Sequence, residues 1–137
     1  MARSACVDHA NFPEPMIQQL QAFTPTLAQA WSLLALAIVF EVIGTVCLRL
    51  SNGFTAALPS VLLFVCYALA FACNAFVVKT LDLSITYAVW SGVGTVATAI
   101  IGFWLFRESA TTLKLVCIGL IVIGVVGLNT ASRVQAS

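Results

Sequence analysis

Charged residues are scarce in this sequence. Asp, Glu, Lys and Arg make up only 8% of its 137 residues, with six basic against five acidic side chains. It has no basic run of the kind that binds nucleic acid, so nucleic acid is not an expected partner. Soluble domains carry about 25% charged residues, and the composition excludes that class.

The sequence also lacks the patterns of metal, disulfide and hydrolytic sites. Four of its five cysteines lie in apolar runs, at spacings that match no zinc or redox template. We expect free thiols that pack like small hydrophobic side chains. The single histidine, His9, lies in a polar stretch. No catalytic set of Ser, His and Asp therefore lies at one depth within the apolar runs. The sequence predicts no enzyme, no cofactor and no metal ion.

Long apolar runs are present instead, since 61% of the residues are hydrophobic. Four such runs lie at about 31–50, 58–78, 85–106 and 113–131, with short polar connections between them. A helix of twenty residues is about 30 Å long, the thickness of a bilayer's hydrocarbon core. The sequence predicts an all-α integral membrane protein with a four-helix transmembrane domain at 31–131, in which consecutive helices are antiparallel.

The two ends of the chain are more polar. Residues 1–30 form a leader without the apolar core of a signal peptide. The leader is expected to be disordered, although a surface helix at 17–23 or a true start at Met16 would also fit. Residues 132–137 form a short C-terminal tail.

The small size of the bundle and its even charge distribution bear on partners and orientation. Four short helices bury few faces among themselves, so membrane lipid and a second copy are expected partners. The basic residues divide three against three between the two membrane sides: Arg3, Lys79 and Arg133 on one, and Arg49, Arg107 and Lys114 on the other. So weak a bias permits insertion in both orientations, and hence an antiparallel dimer.

Glu41 is the charged residue that stands deep inside an apolar run. It lies about halfway along the first predicted helix, and the basic residues occur only at the ends of the runs. A carboxylate at that depth is costly unless it is paired, hydrated or protonated, and such residues are usually functional. Glu41 is therefore the predicted site for protons or a cation. The alternative is a protonated glutamate that only donates a hydrogen bond between helices.

Small and aromatic residues repeat at helical spacing near this position. Around Glu41 they are Ala37, Gly44 and Thr45; the second run adds Tyr67 and Phe71, and the third adds Tyr87, Trp90 and Ser91. Aromatic faces attract ammonium-type cations, and small neighbours leave room for a ligand. The alternative is ordinary close packing of helices through small and aromatic side chains.

Several short runs together carry a family resemblance. They are FEVIGT at 40–45, SNGFT at 51–55 with Pro59 and Ser60, and YAVWSGVG at 87–94. With these runs the sequence resembles the small multidrug resistance family of exporters over about residues 30–131.

The resemblance implies an antiparallel dimer of four-helix subunits that exchanges protons for cations. It assigns the family's membrane glutamate to Glu41 and its aromatic site residues to Tyr67, Tyr87 and Trp90. The fourth helix is the family's dimerisation arm, with two glycines a heptad apart. Here Gly124 matches and the other position is Cys117, although Cys117, Gly124 and Ala131 still form a line of small residues.

One departure from the family pattern and one match to a branch of the family concern the substrate. Asp82-Leu83-Ser84 precedes the third helix as in the polyamine-exporting branch, whose members are heterodimers, and Asp82 either meets an amine or caps the helix. Gly44-Thr45 fits the drug-exporting branch and not the guanidinium exporters.

The sequence therefore predicts a proton-coupled antiporter for hydrophobic or quaternary ammonium cations, with Glu41 of both subunits in one site. Gly92 and Gly94 are the predicted hinge. The alternatives are a polyamine- or guanidinium-exporting subunit of a heterodimer with a paralogue, and a non-transporting membrane subunit.

Overall fold

Four helices build the molecule. The computed structural model describes the backbone of residues 23–135 and the side chains of residues 23–131. The helices are α1 (Leu27–Leu50), α2 (Ala57–Val77), α3 (Leu83–Trp104) and α4 (Thr112–Gln135). Each contains a stretch that is long and apolar enough to cross a membrane. The predicted number and order of transmembrane helices are confirmed.

Helix α1 begins four residues before the predicted position 31, because a capping box starts it. The Thr26 hydroxyl accepts a hydrogen bond from the Gln29 backbone N–H at 3.4 Å, and the Gln29 side chain accepts one from the Thr26 N–H at 2.9 Å. This reciprocal pair satisfies two of the free N–H groups of a helix start. Residues 27–30 of the predicted leader thus belong to α1, and the interpretations of residues 1–22 lie outside the described residues.

The other helix boundaries differ from the apolar runs by only a few residues. Helix α3 starts at Leu83, with Asp82 in the N-cap position but without a side-chain cap hydrogen bond. Helix α4 continues to Gln135, four residues into the predicted C-terminal tail. Polar residues at the membrane surface can extend a helix, so hydropathy marks the apolar span and not the helix end.

Helix α1 lies at the centre of the packing. It packs along α2 and also against α3, whereas α4 packs mainly against α3. The core cluster is Leu34, Ile38 and Val42 of α1 with Val77 of α2. No described side chain of α4 is buried. Much of the apolar surface of α4 is consequently left for lipid or for another subunit.

Two contacts fix which connections share an end of the bundle. The Thr80 hydroxyl donates a hydrogen bond to the Pro25 carbonyl at 2.7 Å, so the α2–α3 connection lies beside the start of α1. Arg49 at the end of α1 forms an ion pair with Glu108 of the α3–α4 connection at 3.6 Å. Consecutive helices are therefore antiparallel, as predicted. The four cysteines in the described part of the chain are free thiols.

Candidate functional site

The Glu41 carboxylate lies between α1 and the backbone of α3. The residue is half-buried, and its Oε2 atom is buried without a hydrogen-bond partner among the described residues. A Cβ atom added to Gly94 would stand only 2.8 Å from that oxygen. Gly94 thus gives the carboxylate room at mid-membrane, and neither of the ion pairs in the described part of the chain involves it.

A hydrogen-bonded chain connects the same turn of α1 to α2. The Thr45 hydroxyl donates to the Glu41 carbonyl at 2.9 Å, so its oxygen accepts from the Tyr67 hydroxyl, 3.2 Å away. Gly44 lies in the same helix contact, where a Cβ would stand 3.4 Å from the Tyr67 ring and any larger side chain would press on it. The structure therefore brings Gly44, Thr45 and Tyr67 together within one turn of Glu41.

Three of the four predicted aromatic site residues, Phe71, Tyr87 and Trp90, form one cluster. Trp90 lies edge-on against Phe71 of α2, with ring centroids 5.5 Å apart, and against Tyr87, at 6.0 Å. Trp90 also packs against the core, and its Nε1 atom is buried without a partner among the described residues. Phe71 is 60% exposed and Tyr87 is 62% exposed. Trp90 lies one helical turn, about 6 Å along α3, from Gly94, the glycine that faces the Glu41 carboxylate.

The sequence comparison decides the family. The sequence pattern of the family described as Small Multidrug Resistance protein matches residues 29–121. The chain belongs to the small multidrug resistance family. This confirms the resemblance, and with four helices that can span a bilayer the protein is a multi-pass bacterial membrane protein.

Relatives within this family carry several substrate names. The chain is 50% identical over 96 residues to the multidrug resistance protein EbrB of Bacillus subtilis, covering 70% of this chain and 82% of that protein. It is 40% identical over 103 residues to a guanidinium exporter of Yersinia pseudotuberculosis, covering 75% and 99%. It is also 40% identical over 108 residues to the quaternary ammonium compound-resistance protein QacE of Escherichia coli, covering 79% and 98%.

Some predicted site residues of this small multidrug resistance protein lie away from the carboxylate or inside the packing. Ala37 is fully buried, and the Ser91 hydroxyl donates to the Ala88 carbonyl at 3.4 Å. Asp82 is exposed at the start of α3, twelve residues or about 18 Å along the helix from Gly94. The structure does not bring Asp82 to Glu41.

The two glycines predicted as a hinge lie in an unbroken helix, where each makes a close contact. A Cβ on Gly92 would stand 2.5 Å from Val125 of α4, whereas Gly94 faces Glu41. The line of small residues on α4, Cys117, Gly124 and Ala131, is exposed, and a Cβ on Gly124 would meet nothing within 4 Å. The contact of Gly94 with Glu41 was missed in the sequence, since it depends on how α3 is rotated.

Proposed function

We propose that this protein is a proton-coupled antiporter that exports hydrophobic or quaternary ammonium cations, and not an enzyme. Relatives named for multidrug and quaternary ammonium resistance support the substrate class. The observation that carries the proposal is the unpartnered Glu41 oxygen at mid-membrane. A carboxylate there is stable only with a proton or a cation, so the two compete for it.

Competition at one carboxylate is sufficient for coupling. Protonation of Glu41 removes the negative charge that holds the cation, which then leaves. Loss of the proton on the opposite side of the membrane restores the charge and allows the next cation to bind. Each cation transported is thereby exchanged for protons, provided that the site opens to one side at a time.

The surroundings of Glu41 suit a hydrophobic cation. The rings of Trp90, Phe71 and Tyr87 offer apolar surface and aromatic faces, and a desolvated cation–π contact contributes about 2 kcal/mol. Gly94 keeps the carboxylate free of a bulky neighbour on α3. A quaternary ammonium ion has no N–H donor, so attraction to charge and to aromatic rings is the recognition it can use.

A guanidinium ion is the alternative substrate, because a relative of that name is 40% identical. The packing of Gly44 against Tyr67 favours the drug-exporting branch, since a large side chain at that position would push α2 away from α1. The polyamine alternative requires an extended polycation, because Asp82 lies about 18 Å along α3 from Gly94 and no small cation could contact both Asp82 and Glu41.

We also propose that the active form is an antiparallel dimer in which Glu41 of both subunits shares one site. The exposed apolar surface of α4 and the open line Cys117, Gly124 and Ala131 support this assembly. Small residues allow helices in a membrane to approach closely. The partner is a second copy or a paralogue.

Proton release on cation binding tests the proposed exchange. Tetraphenylphosphonium added to detergent-solubilised protein in weak buffer is expected to release protons and to bind less tightly as the pH falls. Glu41→Gln should release none. Glu108→Gln is the matched control, because it removes the exposed glutamate of the α3–α4 connection, and it should behave like the wild type. Undiminished release from Glu41→Gln would contradict the proposal, and release by guanidinium alone would reassign the substrate.

A further inference from the structure

A cavity of about 560 Å³ lies on the far side of Thr45 from Glu41. Its lining comes from the last turns of α1, from α3 between Thr95 and Gly102, and from the start of α4 with its preceding connection. Helices α1 and α4 both pack against α3, so they form two walls of a groove whose floor is α3. The volume is in the range of about 300–1,000 Å³ that is typical of small-molecule sites.

The walls of this groove are effectively apolar, although three threonines line it. Each threonine hydroxyl already donates to a backbone carbonyl of its own helix: Thr45 to Glu41 at 2.9 Å, Thr95 to Ser91 at 2.7 Å and Thr98 to Gly94 at 2.9 Å. From Thr95 to Gly102 the floor extends about 10 Å, a third of the hydrocarbon thickness. The groove therefore suits a hydrocarbon chain.

The mouth of the groove is positively charged. Glu108 lies between two basic side chains, with its Oε2 3.2 Å from Lys114 Nζ and its Oε1 3.6 Å from Arg49 Nη1. Two basic groups, Arg49 and Lys114, and one carboxylate, Glu108, leave a net charge of +1 on the lining. A cationic substrate is repelled by this charge, and an anion is attracted.

The basic groups keep capacity for a further ligand. A guanidinium has five N–H donors and an ammonium three, more than one carboxylate can accept. The Arg49 side chain is 63% exposed. Phe106 lies under the Arg49 guanidinium at 5.3 Å and Phe103 under the Lys114 ammonium at 4.8 Å, which holds both groups at the rim.

We propose that this groove binds one anionic phospholipid, whose phosphate accepts hydrogen bonds from the donors of Arg49 and Lys114 that Glu108 leaves unused, and whose acyl chain lies along α3. Both basic residues stand at helix ends, the depth of lipid headgroups, and basic pockets between transmembrane helices bind anionic headgroups. The site is independent of cation exchange at Glu41. A lipid in it would fill the space between α1 and α4.

Lipid retention, read by native mass spectrometry, tests the headgroup part of the site. Purified protein in neutral detergent should retain one dioleoyl phosphatidylglycerol per subunit, and much less dioleoyl phosphatidylcholine. Arg49→Gln with Lys114→Gln should weaken phosphatidylglycerol binding roughly 10-fold or more, since each basic group near an anionic headgroup contributes about a factor of five. Arg107→Gln, next to the groove but not in its lining, is the matched control and should change affinity far less.

A variant with a side chain in the groove tests whether the acyl chain lies along α3. Ala99→Phe places a ring on the floor without a change of charge and should also weaken retention; Ala99→Leu replaces it if the larger variant does not fold. Equal retention of both lipids, or equal losses in the Arg107 control and the double variant, would overturn the proposal. Normal retention by the filled groove would overturn it too, because the headgroup alone would then account for binding.

Discussion

At the scale of single residues, the candidate site depends on one close contact between helices. The Glu41 carboxylate lies against Gly94, where any side chain would occupy the same space. A charged residue at the centre of a membrane helix costs about 2.5–3.5 kcal/mol on insertion scales. A bound cation or proton offsets this cost, so the space beside the carboxylate must be open to it. Gly94 thus keeps the carboxylate open to the site.

Gly94→Ala is therefore expected to impair cation binding. The new Cβ would stand 2.8 Å from Glu41 Oε2, and the carboxylate must move to relieve the clash. Because a displacement of about 1 Å can cost up to roughly 100-fold, tetraphenylphosphonium affinity should fall about 10- to 100-fold. Gly127→Ala on α4 is the control, since its Cβ meets nothing within 4 Å. Equilibrium dialysis measures both, and an unchanged affinity in Gly94→Ala would contradict this role.

The sequence was sufficient to predict individual site residues but not their contacts. Glu41 is recognisable because a carboxylate in an apolar run is costly. Tyr67 and Trp90 are recognisable because each belongs to a row of aromatic residues on one face of its own helix. The contact of Gly94 with Glu41 and the bond between Thr45 and Tyr67 depend on the rotation of neighbouring helices. A single sequence does not encode that rotation in its periodicity.

At the scale of helices, α3 and α4 are joined through a glycine. Gly92 is buried, and Val125 of α4 occupies the space where its side chain would be, with Ile121 close by. A glycine at such a position permits close approach of two helices. This contact is a packing reason for Gly92 that is separate from the predicted hinge.

Gly92→Ala with a compensating change separates packing from flexibility. The single variant should lose about 1–3 kcal/mol of stability, because an overpacked contact forces the helices apart. Adding Val125→Ala should restore part of that loss and also the transport rate. Unfolding in denaturing detergent and dye transport are the two measurements. Restored stability without restored transport would favour the hinge over the packing role.

The apolar runs predict the position of each helix but not its polar ends. The span of each run is within a few residues of its helix, because only an apolar helix is stable in hydrocarbon. The start of α1 was predicted too late, since Thr26 and Gln29 are polar and were assigned to the leader, although together they form a capping box.

At the scale of the whole molecule, the four-helix architecture follows from composition, whereas the groove between α1 and α4 does not. Four apolar runs with short connections allow little besides an antiparallel bundle. The groove depends on α4 packing against α3 without covering α1, and no residue pattern signals that arrangement.

Crosslinking of α4 tests the proposed antiparallel dimer. In an antiparallel helix pair centred on Gly124, Cys117 of one copy faces Ala131 of the partner subunit, because each lies seven residues from the centre. Ala131→Cys, with Cys117 as the only other cysteine, should form disulfide-linked dimers on oxidation, and Cys117 alone should not. Thr130→Cys, one residue off the line, is the control. Efficient crosslinking through Cys117 alone would indicate a parallel pair.

Uptake driven by a proton gradient tests the central claim most directly. Liposomes that contain the purified protein and are acidic inside are presented with a quaternary ammonium dye. Uptake is expected with the wild type and with Glu108→Gln, and not with Glu41→Gln, since Glu41 lies midway along α1 beside Gly94 whereas Glu108 lies in the α3–α4 connection. Equal uptake by Glu41→Gln and the wild type would contradict exchange at this carboxylate.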